Sequence, residues 1–114
     1  YLAKQYEKNK GFTVKDTNGK SVGSLYLNEV DEKELNIEWI GIDEKARGKG
    51  YAQSALKQTI SYAKENGFKE VTLEVPGISP DAMHIYKKLG FVEDGTLTED
   101  DIWGGLTKMK LVLR

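Results

Sequence analysis

The chain has no cysteine. That excludes disulfides, thiolate metal sites and a cysteine nucleophile. It has one histidine, His84, which argues against a histidine-built metal site or a Ser-His-Asp triad. It lacks an excess of either charge: Lys plus Arg number 17 and Asp plus Glu 18. A dedicated nucleic-acid binder usually carries a basic surplus, so that class is set aside. No apolar run approaches the roughly 20 residues of a membrane-spanning helix, and no signal-peptide pattern is visible. A cytoplasmic location fits these absences. The chain opens at Tyr1 rather than Met, so further residues are expected upstream.

What is present is an ordinary globular balance, 31% charged and 39% hydrophobic. Its 114 residues are enough for one domain with a real core, read here as residues 1–114. Residues 1–10 are polar and read as a helix tail or a frayed arm. Phe12 and Val14 suggest a strand that turns at Asp16 to Lys20, where Asn18-Gly19 is a hairpin signal. Val22, Leu25 and Leu27 form the return strand, with Gly23 as a candidate bulge. An acidic turn over Asn28 to Glu34 leads to a third strand, Glu34 to Ile42. Period-2 alternation places Leu35, Ile37 and Trp39 on one face, and Asn36, Glu38, Ile40 and Ile42 on the other.

Small or apolar residues at 52, 55, 56, 59, 60 and 63 have the spacing of a core-facing helix stripe. Asn66-Gly67-Phe68 ends that helix, with Gly67 able to take the left-handed cap and Phe68 folding back toward Ala63. Val71, Leu73 and Val75 make the next strand, which predicts a parallel crossover. Ser79-Pro80-Asp81 is a helix start. Ala82, Ile85, Tyr86 and Leu89 face inward by spacing, and Gly90 stops the helix. Phe91-Val92 opens a strand, residues 95–104 read as a loop, and Leu106 to Leu113 as a last strand. The predicted class is mixed α/β: a twisted, mostly antiparallel sheet flanked by helices.

The most informative segment is Arg47-Gly48-Lys49-Gly50-Tyr51-Ala52. A basic, glycine-rich turn that opens a helix is suited to phosphate, because glycines expose successive N–H groups and the helix start adds unsatisfied donors. It is not a Walker loop, since GxxxxGK[ST] is absent. It is a poor dinucleotide fingerprint too, because Gln53 occupies the third glycine position.

This segment fits the [RQ]xxGx[GA] acyl-CoA loop of the GNAT N-acetyltransferase superfamily, which the chain resembles. Ala82 to Phe91 resembles that family's AxxxYxxxGF helix and strand, and the two motifs stand in the family's order and spacing. The resemblance spans roughly residues 12 to 113 and implies an acyl-CoA N-acyltransferase fold. The chain looks short of the family's usual first strand and helices. The resemblance also implies acetyl-CoA as cosubstrate, without a metal. Its pyrophosphate would sit on Arg47, Gly48, Lys49, Gly50, Tyr51 and Ala52, and its pantetheine arm on the backbone of Ile40, Gly41 and Ile42. Ser79 stands where the family often has a cofactor-binding Asn.

Periodicity alone reads Tyr86 as a core residue; the motif makes it the candidate acid for the departing thiolate. A catalytic Glu of some members falls at Asn36, so Glu38 is the nominated base, with Glu74 in reserve. His84 lies off the inward stripe. The acidic run Glu99-Asp100-Asp101 is either a solvated loop or an attractor for a cationic acceptor. The implied activity is direct acetyl transfer to an amine in a ternary complex. The alternative is a non-catalytic acyl-CoA-binding or regulatory module on the same fold. A small amine or a peptide or protein amine could accept the group, and a homodimer stays open.

Overall fold

The computed structural model describes residues 9–76, 80–98 and 106–113. Its elements, in chain order, are β1 (Asn9–Lys15), β2 (Ser21–Glu29), β3 (Glu34–Ile42), α1 (Tyr51–Glu65), β4 (Glu70–Pro76), α2 (Pro80–Lys88), β5 (Val92–Thr98) and β6 (Leu106–Val112). The six strands form one sheet in the order β1-β2-β3-β4-β6-β5. Every pairing is antiparallel except β3 with β4. The expected mixed sheet, hairpin and parallel crossover are all present. Two readings change. Lys10 already belongs to β1, and the segment from Gly95 to Thr98 is strand rather than loop.

Short-range polar contacts set the hairpins. Asp16 Oδ1 accepts from the Asn18 and Lys20 N–H groups at 2.9 Å each, and Gly19 supplies the left-handed turn residue. Asp31 Oδ1 accepts from the Lys33 and Glu34 N–H groups at 2.8 Å each. Those two backbone donors hold the Asp31 carboxyl below its ordinary range. At the end of α1, the Phe68 N–H donates to the Ala63 carbonyl at 3.0 Å, with Gly67 left-handed as anticipated.

One face of the sheet carries the core. Leu25, Leu27, Leu35, Ile37, Val71, Leu73, Val75 and Met109 meet Leu56 and Ala63 of α1, with Ile85, Tyr86 and Leu89 packed against them from α2 and its end. Among the described residues no helix packs on the other face, which bears Tyr26, Trp39, Glu34, Asn36 and Thr72.

The face assignment of β3 needs correction. Leu27 pairs with Ile37, but Tyr26 pairs with Trp39. Glu38 is therefore the extra residue of a β-bulge, and the alternation slips by one. Trp39 turns out of the core and is 57% exposed, while Ile40 packs against the core beside its partner Leu25. The neighbouring bulge falls at Val22, which has no partner in β1, rather than at Gly23. Gly23 serves another need: a Cβ there would overlap the Gly41 carbonyl oxygen.

The bulge also parts the sheet. β3 and β4 are in register only over Glu34–Ile37, against Glu70–Leu73. Beyond Leu73, β4 stays with β6 as far as Pro76, whereas β3 follows β2. Among the described residues, the side of β3 that faces β4 is thus left without a strand partner from Glu38 to Ile42.

Candidate active site

The site is built where this parted edge meets the start of α1. A short 3-10 turn, Glu44–Ala46, carries the chain from β3 to the glycine loop. Gly48 and Gly50 have φ of 80° and 85°, a region that costs any residue with a Cβ about 1–2 kcal/mol. Nothing lies within 4 Å of where a Cβ would stand on either glycine. They are needed for the backbone path, and the space above them is open.

Helix α1 starts at Tyr51 with no side chain capping it and no acidic residue in its first turn. The Ser54 N–H is the first to find its intrahelical acceptor, the Gly50 carbonyl at 3.0 Å. The donors ahead of it, on Tyr51, Ala52 and Gln53, have no partner within the helix. An anion is the natural complement to such an end. Arg47 adds a positive charge held in place: its Nε donates to the Ile42 carbonyl at 3.0 Å. That bond ties the loop to the end of β3.

A cleft of about 840 Å³ opens here. Ile40, Gly41 and Ile42 line one wall; Arg47, Gly48, Gly50, Tyr51 and Ala52 line the end; Tyr86 lines the other wall. Nine of the residues singled out in the sequence therefore converge on one cavity. Glu38 and Lys49 are exposed and are not among its lining residues. Ser79 and the run Glu99-Asp100-Asp101 lie outside the described residues. His84 is exposed, as its place off the inward stripe implied, and Glu74 is exposed on β4.

The cleft also draws on residues that the sequence reading placed in elements but not in the site, among them Trp39, Leu56, Asp81 and Ile85. Ile85 shares the Tyr86 face of α2, so helical spacing held that signal. Trp39 gave none, because its side depends on the bulge. A smaller groove of about 430 Å³ runs between β1, β2 and α1. It touches none of the loop glycines, so the larger cleft is the candidate site.

Tyr86 is half-buried, and its ring meets Phe91 edge to face, 5.9 Å between centroids. Burial pushes the Tyr86 phenol up from its ordinary value. It therefore stays protonated throughout the neutral range and is available as a donor.

Donors without partners, a left-handed glycine pair and an unpaired strand edge suit an extended ligand with an anionic centre. Acyl-CoA has that shape: a pyrophosphate for the loop, and an amide-bearing arm for β3. The residues present fit it.

The comparisons bear on the family and the fold. A model of the acetyltransferase (GNAT) family matches residues 1–91. N-acetyltransferase 8B of Homo sapiens is 32% identical over 89 residues, covering 74% of this chain and 39% of that protein. Spermidine N(1)-acetyltransferase of Vibrio cholerae is 30% identical over 91 residues, covering 78% of this chain and 53% of that protein. The chain thus spans about half or less of these curated relatives. In fold, it superimposes on a crystal structure of spermidine N-acetyltransferase from Vibrio cholerae in complex with CoA and spermine. The TM-score is 0.83 at 23% identity, covering 97% of this chain and 73% of that one. The family match over most of the length, on this fold, means that the chain belongs to the acetyltransferase (GNAT) family.

Proposed function

We propose that this chain transfers an acetyl group from acetyl-CoA to an amine by direct attack within a ternary complex. The observation that carries the reading is the uncapped start of α1, with its two left-handed glycines, opening into the cleft that Tyr86 lines. The N–H groups of the loop and of the first helical turn would hold the pyrophosphate. Each bond to a charged acceptor is worth about 1.5–3 kcal/mol. The Ile40–Ile42 edge would pair with the pantetheine amides, and an N–H of that edge would stabilise the developing oxyanion.

In the transfer, the amine nitrogen attacks the thioester carbonyl carbon. A C–N bond forms, the C–S bond breaks, and the CoA thiolate leaves. The attacking nitrogen sheds one N–H proton to water, Tyr86 gives the thiolate its own proton, and that water returns a proton to Tyr86. A thiol near pKa 8.5 is a stronger acid than any phenol near 10, so Tyr86 assists rather than drives departure. The attacking amine must be neutral, which costs about 4.6 kcal/mol at pH 7 for a group of pKa 10.4. The exposed carboxylate of Glu38 would take its proton through water.

The acceptor class proposed is a small primary amine, in keeping with the spermidine acetyltransferase among the relatives. A CoA-release assay with butylamine, lysine and spermidine tests this reading. Tyr86→Phe should lower turnover by about 10²-fold while the dissociation constant for acetyl-CoA holds. With the native tyrosine, turnover should climb with pH as the amine deprotonates. Because burial raises the Tyr86 pKa, the decline should begin only above the ordinary tyrosine value of about 10. Acetyl-CoA binding without CoA release for any amine would instead identify a binding module.

A further inference from the structure

We propose that the groove between β1, β2 and α1 is a second binding site, for an alkyl carboxylate, and that its occupant weakens acetyl-CoA binding in the cleft. This goes beyond the acetyl-transfer reading and draws only on its acetyl-CoA site.

The groove exists because α1 presents short side chains where it faces β1. Positions 51, 54, 55, 58, 59 and 62 of α1 line it. They form one continuous helical ridge that runs for about 16 Å. Ser54, Ala55 and Thr59, in the middle of that ridge, are too short to fill the space against β1. The void is about 430 Å³, within the ordinary range of small-molecule sites.

The interior is apolar. Leu25 and Leu27 of β2 form the floor, and Val14 of β1 forms a wall. The Thr59 hydroxyl donates to the Ala55 carbonyl at 2.9 Å, so its proton is spent within the helix. One end is closed by Phe12 and Tyr62, whose rings meet edge to face with centroids 6.5 Å apart. Lys10 Nζ donates to the Tyr62 hydroxyl at 2.7 Å and holds that ring. Phe12 is still 42% exposed. An alkyl chain laid along this floor removes both its own surface and that of Phe12 from water.

The other end is polar and positive. β1 and β3 run the same way, both antiparallel to β2, and α1 runs back against them as it crosses from β3 to the parallel β4. Lys15 therefore lies toward Tyr51, and Phe12 toward Tyr62. Lys15 is the one charged residue in the lining, and no ion pair among the described residues engages it. Gln58 Nε2 donates to Ser54 Oγ at 3.3 Å, which leaves the Ser54 hydroxyl proton for a ligand. A cation and a hydroxyl donor beside an apolar floor match a carboxylate head on an alkyl chain.

Tyr51 joins the two cavities. It lines both the groove and the cleft. It is also the first residue of α1, at the positive end proposed to hold the pyrophosphate. Anions on the two sides of Tyr51 repel each other, and linkage makes the penalty mutual. The occupant of the groove is therefore an inhibitor of donor binding.

The test titrates the full chain with decanoate in a calorimeter, alone and with acetyl-CoA. Decanoate should bind, and octanoate, two methylenes shorter, should bind about 15-fold more weakly. Saturating decanoate should raise the dissociation constant for acetyl-CoA about fivefold and then no further. Lys15→Gln should weaken decanoate about tenfold. Phe12→Ala should weaken it as well, and neither change alone should alter acetyl-CoA affinity. Both side chains are exposed, so the variants keep the fold. No decanoate binding, binding that both variants leave intact, or an acetyl-CoA constant that decanoate does not move would each overturn the proposal. So would a constant that climbs without limit, because that is direct competition in the cleft. Failure of the chain to bind acetyl-CoA at all would overturn the transfer reading, and decanoate binding to the two variants would still decide the groove.

Discussion

Gly50 shows how one backbone angle serves a binding site. Its φ of 85° is left-handed, and nothing crowds the place of a Cβ. Gly50→Ala therefore tests strain alone. It should lower the unfolding free energy by about 1–2 kcal/mol in a urea melt and weaken acetyl-CoA binding in calorimetry. An unchanged melt would show that the loop does not need the angle. The tight turn at Gly48 and Gly50 was legible in the sequence, because a glycine pair just before a helix permits left-handed backbone there. Tyr86 was legible as an inward residue from its spacing. Its raised pKa was not, since that comes from burial of the phenol, which only the packed fold sets.

Among the elements, β3 was bounded correctly and still misread. Its range matched, Glu34 to Ile42, but its two faces were exchanged after Ile37. A bulge belongs to a pair of strands, and alternation within a single strand cannot reveal it. The cost of the error was Trp39, placed on one face with Leu35 and Ile37 and found at the cleft. Helix α1 was easier, because its stripe at 55, 56, 59 and 63 reports burial directly. Gly23 links the two strands around the bulge. Gly23→Ala would drive a methyl into the Gly41 carbonyl. The expected loss is about 1–3 kcal/mol, and acetyl-CoA affinity should fall with it, because Gly41 lies on the cleft wall. Stability at the wild-type level would mean that the strands yield there without cost.

For the whole molecule, element order was readable and strand order was not. Nothing local in Leu106 to Val112 says that β6 inserts between β4 and β5; only the packed sheet does. The left-handed loop before α1 was readable because that backbone device leaves a glycine signature. The side-chain contact between Asn36 and Thr72, 36 positions apart, was not readable, because only the register of β3 on β4 brings them together. The separation of β3 from β4 makes the sheet a partition with a slit in it. On the proposed reading, CoA enters from the helical side and the amine from the bare side. Neither stands in the other's path, so the enzyme imposes no queue. Initial-velocity lines for the two substrates should intersect, and a dead-end analogue of either one should still bind to the free protein. Parallel lines would mean that the two reactants share one doorway after all.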